Sequence, residues 1–162
     1  SYVTDVAIST LSGGALTIAA QPDYPRTIKG ILTDANASIT GAVVTVVGVD
    51  QNGNDTTDTI TFTAAGAAYS TKAFSKIISA TIATTGTVTD SVDKIALGAG
   101  PALGLPAAPD AIYVRLVKAS FNGANEAGTF SASAGTYTPA GTMDGAKPVE
   151  VIFQYEVPLA VY

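Results

Sequence analysis

Cysteine, histidine and tryptophan are all absent from this chain of 162 residues. Without histidine or cysteine, the Ser-His and Cys-His nucleophile pairs cannot form, and an ordinary zinc site lacks its usual ligands. No remaining side chain has an unperturbed pKa near neutrality. Any chemistry would therefore depend on carboxylates, hydroxyls and a few lysines.

Charge is also scarce, since 13% of residues are charged and the net charge is −5. An acidic chain repels phosphate backbones and no lysine or arginine cluster makes a local exception, so we expect no nucleic-acid partner. The longest apolar run, Gly41 to Val49, is too short to cross a bilayer, and we expect a soluble protein with no membrane partner. The opening SYVTDVAIST does not resemble a signal peptide, although one could already have been removed.

Short alternating runs of Thr, Val, Ile and Ala dominate the sequence, with Gly, Pro, Asn and Asp clusters about every ten residues. This pattern predicts an all-β fold, a single-domain β-sandwich or jelly-roll-like barrel with about ten short strands and at most one short helix. The predicted strands are Val3 to Ile8, Ala15 to Ala19, Thr27 to Leu32, Val43 to Val49, Thr57 to Thr63, Ile77 to Ala83, Ser91 to Leu97, Ala111 to Ala119, Gly128 to Ala134 and Val149 to Val157.

The best helical candidate is TKAFSKII, Thr71 to Ile78, which has room for one or two turns but ends in β-branched residues. The length fits one domain over residues 1–162, with residues 1–20 as an arm or first hairpin that takes part in assembly. A core of this size requires no disulfide or metal, and we expect no cofactor.

The segment GAGPALGLPAAPD, Gly98 to Asp110, contains three prolines that remove backbone donors. We predict a long surface connection here, carrying Leu103 and Leu105. It is either a crossover between two sheets whose leucines pack at the edge of the core, or an interaction surface.

The acidic stretch VVGVDQNGNDTTDTITF raises the question of a calcium loop. Asp50, Asn52 and Asn54 match the first ligand positions of an EF-hand, but Asp55 replaces the required glycine and Thr61 the required glutamate. A hairpin with an Asn52-Gly53 turn explains more, with Ile60 and Phe62 on one face of the second strand. A side interaction of calcium with Asp50, Asp55 and Asp58 stays open as the minor alternative.

Carboxylate catalysis is a second possibility, because a glycosidase needs two facing carboxyl groups about 5–10 Å apart. Glu126, Glu150 and Glu156 are the only glutamates, and the last two lie on one face of a strand, too far apart to meet without a bend. We interpret them as solvated strand positions. Because no set of nucleophile, base and orienting group is apparent, we predict that the protein is not an enzyme.

Alternation in the last predicted strand places Val151, Phe153, Tyr155 and Val157 on the core face, and Ile152, Gln154 and Glu156 on the other. Tyr2 and Tyr162 lie at the termini. A terminal aromatic side chain is usually loose unless it docks on something, such as a neighbouring subunit.

Four segments follow one another along the chain in a distinctive order: QPDYPRTIKGILTDANASITGAVVTVVGVDQNGNDTTDTITF, STKAFSKIISATI, IALGAGPALGLP and GTYTPAGTMDGAKPVEVIFQYE. They supply a QP-x-x-PR lead-in to a strand, a hairpin with an Asn-Gly turn, a TKAF segment, an LGLP loop and a TP…DG ending. In this order the chain, from about Gln21 to Glu156, resembles a family of structural proteins from tailed-phage and prophage virion gene clusters.

The resemblance implies a β-rich virion component of the head-decoration or minor-capsid type, and it transfers no catalytic residue. We expect a capsid decoration protein made in the host cytoplasm, bound to the major capsid protein on the outside of the head, where an acidic chain does not face packaged DNA. Closed symmetry is the default for soluble homo-oligomers, and the analogy implies a trimer. We expect the assembly interface to include Tyr2, Val3, Pro101, Leu103, Leu105, Pro106 and Tyr162.

Two other functions stay open. A tail, neck or head-fibre protein would form rings or filaments through heterologous contacts. A secreted adhesive or carbohydrate-binding β-sandwich would fit the threonine-rich strands and the polar Asp-Asn turn.

Overall fold

The all-β prediction is confirmed by a computed structural model that describes residues 1–89, 91–107, 113–143 and 146–156. Apart from short 3-10 turns at Ile8–Thr10 and Ser12–Gly14, the regular structure in these ranges is all strand. The strands are β1 (Val3–Ala7), β2 (Ala15–Leu16), β3 (Arg26–Thr33), β4 (Ile39–Val49), β5 (Asp55–Phe62), β6 (Gly66–Phe74), β7 (Lys76–Gly86), β8 (Lys94–Gly104), β9 (Tyr113–Phe121), β10 (Ala124–Asn125), β11 (Thr129–Ser131), β12 (Thr136–Thr138) and β13 (Val149–Glu156).

The strands form three antiparallel sheets. The first sheet has the order β11-β12-β8-β3-β6, and β1 pairs with β8 on the same edge as β12. The second sheet has the order β2-β7-β4-β5, and the third has the order β10-β9-β13. Strand β8 is thus bordered by β3 on one side, and by β1 and β12 end to end on the other.

The first two sheets pack face to face as a sandwich. Alternate residues of β4 point inward, and Val44 and Val46 are fully buried between the sheets. In β3, Gly30 leaves room for the ring of Phe62 from the opposite sheet, because an added Cβ there would lie 2.6 Å from Phe62 Cζ. The other core side chains come from both sheets and include Ile28, Leu32, Ile60, Phe74, Ile77, Ile82, Ile95 and Leu97.

Residues 1–20 belong to this sandwich rather than forming an arm. Strand β1 lies in the first sheet and β2 in the second, so the segment crosses one end of the core. The backbone N–H of Tyr2 donates to Leu97 O at 2.8 Å, and that of Ala19 donates to Tyr2 O at 2.7 Å. The segment is thus neither a separate arm nor a hairpin of its own, because β1 and β2 lie in different sheets, and its part in assembly stays a prediction.

Two bulges lie on either side of β3. Opposite Ile28, β6 inserts the run between Tyr69 and Ala73, and next to it β8 inserts the run between Ala99 and Leu103. Side-chain hydroxyls replace the missing ladder partners. Ser70 Oγ accepts from Ile28 N–H at 2.8 Å, and Thr27 Oγ1 accepts from Ala102 N–H at 3.2 Å.

These bulges explain two wrong predictions. The segment from Gly98 was predicted to be a surface connection, but β8 continues to Gly104, because Pro101 lies in the bulge where its missing N–H breaks no ladder bond. The helical candidate Thr71 to Ile78 instead forms the end of β6 and the start of β7. The bulge in β6 interrupts the alternation of buried and exposed residues, so the sequence pattern does not predict this strand.

The predicted β4–β5 hairpin is confirmed, with Val49 paired to Asp55 across a turn in which Gly53 has φ 85°. Ile60 and Phe62 are both buried, as their shared face predicts. Further along β5, Asp58 joins the two sheets at their open side. Its Oδ2 accepts from the N–H groups of Thr71 at 2.6 Å and Lys72 at 2.8 Å, both on β6.

The third sheet covers a smaller apolar cluster built on Leu105, Ala119 and Tyr137. Val151 and Phe153 pack against it as expected, whereas Tyr155 is 43% exposed and Val157 lies outside the described residues. Strands β10 and β12 are too short to show an alternation, and neither is apparent in the sequence. The predicted strand Gly128 to Ala134 shortens to β11, because a tight turn follows it.

The bulge in β8 gives a testable consequence. In Gly100→Ala the new Cβ would lie 2.4 Å from Thr27 Oγ1 and 2.6 Å from Thr27 O, so we expect the free energy of unfolding to fall by about 1–3 kcal/mol. Gly98→Ala in the same strand is the matched control, because an added Cβ there meets no atom within 4 Å. Urea denaturation of both variants checks this, and equal stabilities would contradict the tight bulge.

The Asp58 junction gives a second prediction. Asp58→Ala removes the acceptor for two β6 N–H groups, and we expect a loss of about 1–2 kcal/mol in unfolding free energy, limited because water reaches this side. Asp55→Ala in the same strand serves as control and should change stability by less than about 0.5 kcal/mol, since Asp55 is exposed. Thermal unfolding of the two variants measures the difference; a control as damaging as Asp58→Ala would refute a specific junction.

Candidate interaction face

Those residues of the expected assembly interface that the structure describes are not brought together on one surface. Tyr2 and Val3 are 5% and 2% exposed and belong to the core of the sandwich. The expectation that Tyr2 is free to dock on a neighbour is thus corrected, since its ring docks within its own chain. Tyr162 lies outside the described residues.

The remaining four predicted residues lie along the end of β8 and just after it. Pro101 and Pro106 are exposed, Leu103 is half-buried, and Leu105 is 6% exposed in the smaller apolar cluster. Leu105 N–H donates to Gly135 O at 2.8 Å, which ties this part of the chain to the turn before β12. Of the predicted set, Pro101, Pro106 and part of Leu103 are therefore available to a partner.

Two adjoining grooves open beside this segment. The first has a volume of about 650 Å³ between Tyr24, Leu103 and the start of β13. The second has a volume of about 450 Å³ between Tyr69, Pro101 and residues 139–143. Arg26 and Met143 line both grooves, so the two lie next to each other.

Exposed tyrosines stand at the rims of these grooves. Tyr24 precedes β3 and is 66% exposed, and Tyr69 lies on β6 and is 47% exposed. We call Tyr24, Tyr69, Pro101 and Leu103, with the two grooves, the interaction face. Tyrosine offers a large apolar ring and a polar tip at low conformational cost, which suits a surface that contacts another protein.

Basic groups line the floor of the face although the chain is acidic. Arg26 is nearly buried, with a side chain 14% exposed, and its Nε lies 3.6 Å from Asp23 Oδ1. Lys29 lies on the same strand and lines the second groove. The lining residues of the second groove include these two cations and no acidic side chain, a charge opposite to the net charge of the protein, whereas in the first groove Arg26 is paired with Asp23.

Behind Arg26 lies the hydroxyl of Tyr2, which is buried and forms no aligned hydrogen bond. Burial raises the pKa of Tyr2 above its ordinary value of 10.0, and the nearby Arg26 charge only partly opposes this rise. Burial therefore favours the neutral phenol beside the Arg26 guanidinium.

A carboxylate braces the far wall of the second groove. Tyr137 is fully buried, its hydroxyl donates to Glu126 Oε1 at 2.8 Å, and Gly128 N–H donates to the same hydroxyl at 3.1 Å. Glu126 Oε2 accepts from Ala140 N–H at 2.9 Å. Burial, followed by the bond to Glu126, raises the pKa of Tyr137. Glu126 thus fixes the chain that forms the groove wall.

The other carboxylates singled out in the sequence also serve local structure. Asp50 Oδ1 accepts from the N–H groups of Asn52 at 2.8 Å and Asn54 at 2.9 Å within the hairpin turn. Glu150 accepts from the Ser120 hydroxyl across the β9–β13 ladder at 3.2 Å. Over the described ranges, no group of three or more acidic side chains could hold a metal ion.

Comparison with known proteins gives no relative. No protein-family model, curated protein or solved structure matches the chain. Within the part of the chain that the structure covers, no helix is long and apolar enough to cross a membrane.

The signals for this face were only partly present in the sequence. Pro101 and Leu103 stand out by composition, but Tyr24, Arg26 and Tyr69 come from separate segments that meet only because β3 pairs with both β6 and β8. The motif QPDYPR contains two of them, without any sign that Tyr69 lies beside it.

Loss of the hydroxyl should change the free energy of unfolding differently at the two buried tyrosines. Tyr137→Phe leaves Gly128 N–H and Glu126 Oε1 without their partner, and we expect a loss of about 1–3 kcal/mol in unfolding free energy. Tyr2→Phe removes a buried hydroxyl without a partner, and we expect stability to be unchanged or slightly higher. Denaturant unfolding at neutral pH measures both, and equal losses would contradict the assigned contacts.

The same pair of variants has a second readout at alkaline pH. Because both folded-state pKa values are raised, the unfolded chain loses its phenolic protons first. The stabilising contribution is complete below pH 10.0, the ordinary pKa, and is lost as the pH rises through the folded-state values. Each Phe variant should flatten this alkaline decline relative to the unmodified protein.

Proposed function

We propose that the protein is a structural component of a tailed-phage virion that decorates the outside of the head and stabilises the shell. The observation that carries the proposal is the ordered series of segments from Gln21 to Glu156 that resembles the virion family. The all-β fold agrees with the β-rich architecture that this resemblance implies.

Each of these segments coincides with a boundary of the fold. The QP-x-x-PR motif leads into β3, the Asn-Gly turn joins β4 to β5, and TKAF ends β6. The LGLP motif begins with the last two residues of β8 and continues past its end, and the TP…DG ending precedes β13. The cues thus correspond to the turns and strand ends that define one fold, so their order carries more information than each cue alone.

We propose that the interaction face binds the major capsid protein. Exposed Tyr24 and Tyr69 would act as anchors, because aromatic side chains in partly enclosed grooves dominate the energetics of protein interfaces. Arg26 and Lys29 would favour an acidic patch on the capsid beneath the face. The acidic remainder of the surface would face solvent, away from packaged DNA.

We further propose that the protein acts as a closed homo-oligomer, and the analogy with decoration proteins favours a trimer. A trimer would present three copies of the face to neighbouring capsomers. Several weak contacts would then add to a strong attachment through effective concentration.

The proposal is tested by adding purified protein to emptied, expanded phage heads and measuring co-pelleting. We expect binding that saturates at a fixed ratio to the major capsid protein. Tyr69→Ala should raise the apparent Kd at least about tenfold, because it removes one of the two exposed aromatic anchors of the face. Ile78→Ala is the matched control: Ile78 is 55% exposed, lies on β7 in the opposite sheet, and should not affect binding.

Failure to bind heads would contradict the decoration role. If particle images then placed the subunit on the tail or neck, the tail-component alternative would replace it. If the natural protein binds heads but Tyr69→Ala and Ile78→Ala have the same apparent Kd, the decoration role is retained and the assigned face is wrong.

A further inference from the structure

Strand β13 forms a long open edge. Among the described strands it pairs only with β9, so its other side presents unpaired backbone groups from Val149 to Glu156. Large apolar side chains stay exposed on this strand, with Ile152 at 45% and Tyr155 at 43%. An exposed edge of this length is a template on which another strand can pair.

The other long edges carry features that block such pairing. On the opposite edge of the third sheet, β9 has Arg115, Lys118 and a bulge at Val117. At the open side of the sandwich, β5 and β6 are joined by Asp58 and Lys72. Strand β13 has no lysine, arginine or proline, and the bulge in its ladder lies on β9. It is therefore the edge best suited to accept a partner.

The hydrogen-bond phase of β13 follows from one bond at its start. Asn122 N–H donates to Pro148 O at 2.8 Å, which makes Phe121 and Val149 a non-hydrogen-bonded pair. Backbone groups alternate along a strand, so Ile152 directs its N–H and C=O toward β9. Val149, Val151, Phe153 and Tyr155 direct theirs outward.

This phase limits how a second copy can pair antiparallel across a two-fold axis, because outward-facing residues must pair with outward-facing residues. Two registers give the longest overlap. In one, Glu150 lies opposite Glu156 of the second copy, which places like charges together twice and is unfavourable. In the other, Glu150 lies opposite Gln154, Val151 opposite Phe153, and Ile152 opposite Ile152 of the second copy.

We propose that two copies of this chain pair through β13 in the second register, with Ile152 on the two-fold axis, to form a continuous six-stranded sheet across the dimer. The strand is self-complementary in this register, since apolar residues face apolar residues and the glutamates are kept apart. We take the partner to be a second copy because, in this register, Val151 lies opposite Phe153 and Ile152 opposite Ile152, and neither glutamate lies opposite another. The inference does not depend on the proposed virion role.

Cysteine cross-linking tests the register directly, because the natural chain has no cysteine. Across the two-fold axis, Ile152 and its copy form a non-hydrogen-bonded pair with Cα atoms about 4.5 Å apart, within disulfide range. We expect Ile152→Cys to form a disulfide-linked dimer under mild oxidation. Gln154→Cys on the same face, and Ile78→Cys on the opposite sheet, should stay largely unlinked.

A charge variant tests the contact without oxidation. Ile152→Glu places two carboxylates against each other on the axis, and we expect the mass in light scattering to fall to half that of the natural protein, whatever other contacts exist. Ile78→Glu, an equally exposed apolar site, should leave the mass unchanged. Circular dichroism and thermal unfolding confirm that both variants fold.

The proposal is overturned if Ile152→Glu leaves the mass unchanged, or if Ile152→Cys cross-links no more than the two cysteine controls. Both outcomes are independent of head binding. Specific cross-linking without co-pelleting would remove the virion role and keep the dimer, whereas co-pelleting by a protein whose mass is insensitive to Ile152→Glu would do the reverse.

Discussion

The hydroxyls of Thr27 and Ser70 satisfy the backbone where the first sheet changes register on both sides of β3. Without them, buried N–H groups of Ile28 and Ala102 would lack partners in the centre of the sandwich, which is costly in a low-dielectric interior. Because these hydroxyls stabilise the register change, β6 and β8 can each contain more residues than β3 at the bulges and can curve around β3. The shape of the first sheet therefore depends on two small side chains.

The smaller apolar cluster depends on the same place. Only because β8 continues beyond its bulge can Leu103 and Gly104 pair with β12. Strand β12 in turn positions Tyr137, on which the third sheet packs, and Glu126 links that tyrosine to the wall of the second groove. The interaction face, which lies between Tyr24 and Pro101, is thus shaped by a register change at its own base.

Regular alternation made much of the sandwich predictable. Strands β4, β5 and β7 show clear periodicity, and the Asn-Gly turn marks the hairpin between the first two. Prediction failed where the period is interrupted, as in β6 and at Pro101, because a bulge and a loop look alike in a single sequence. The burial of Tyr2 was also missed, since the core positions it occupies come from strands distant in the chain. The candidate face was found only in part for the same reason.

Strands β1 and β12 pair end to end with the same edge of β8. The pairing of β1 with this edge affects the order in which the chain can fold. Strand β1 pairs with residues Lys94 to Leu97, so this strand, which is made before β8, has no ladder partner until β8 has emerged. Most strand pairs of the sandwich likewise join distant segments, a topology associated with slow folding because loop closure precedes the gain from contacts. During synthesis the N-terminal segment exposes Tyr2 and Val3, and its late insertion completes one end of the core.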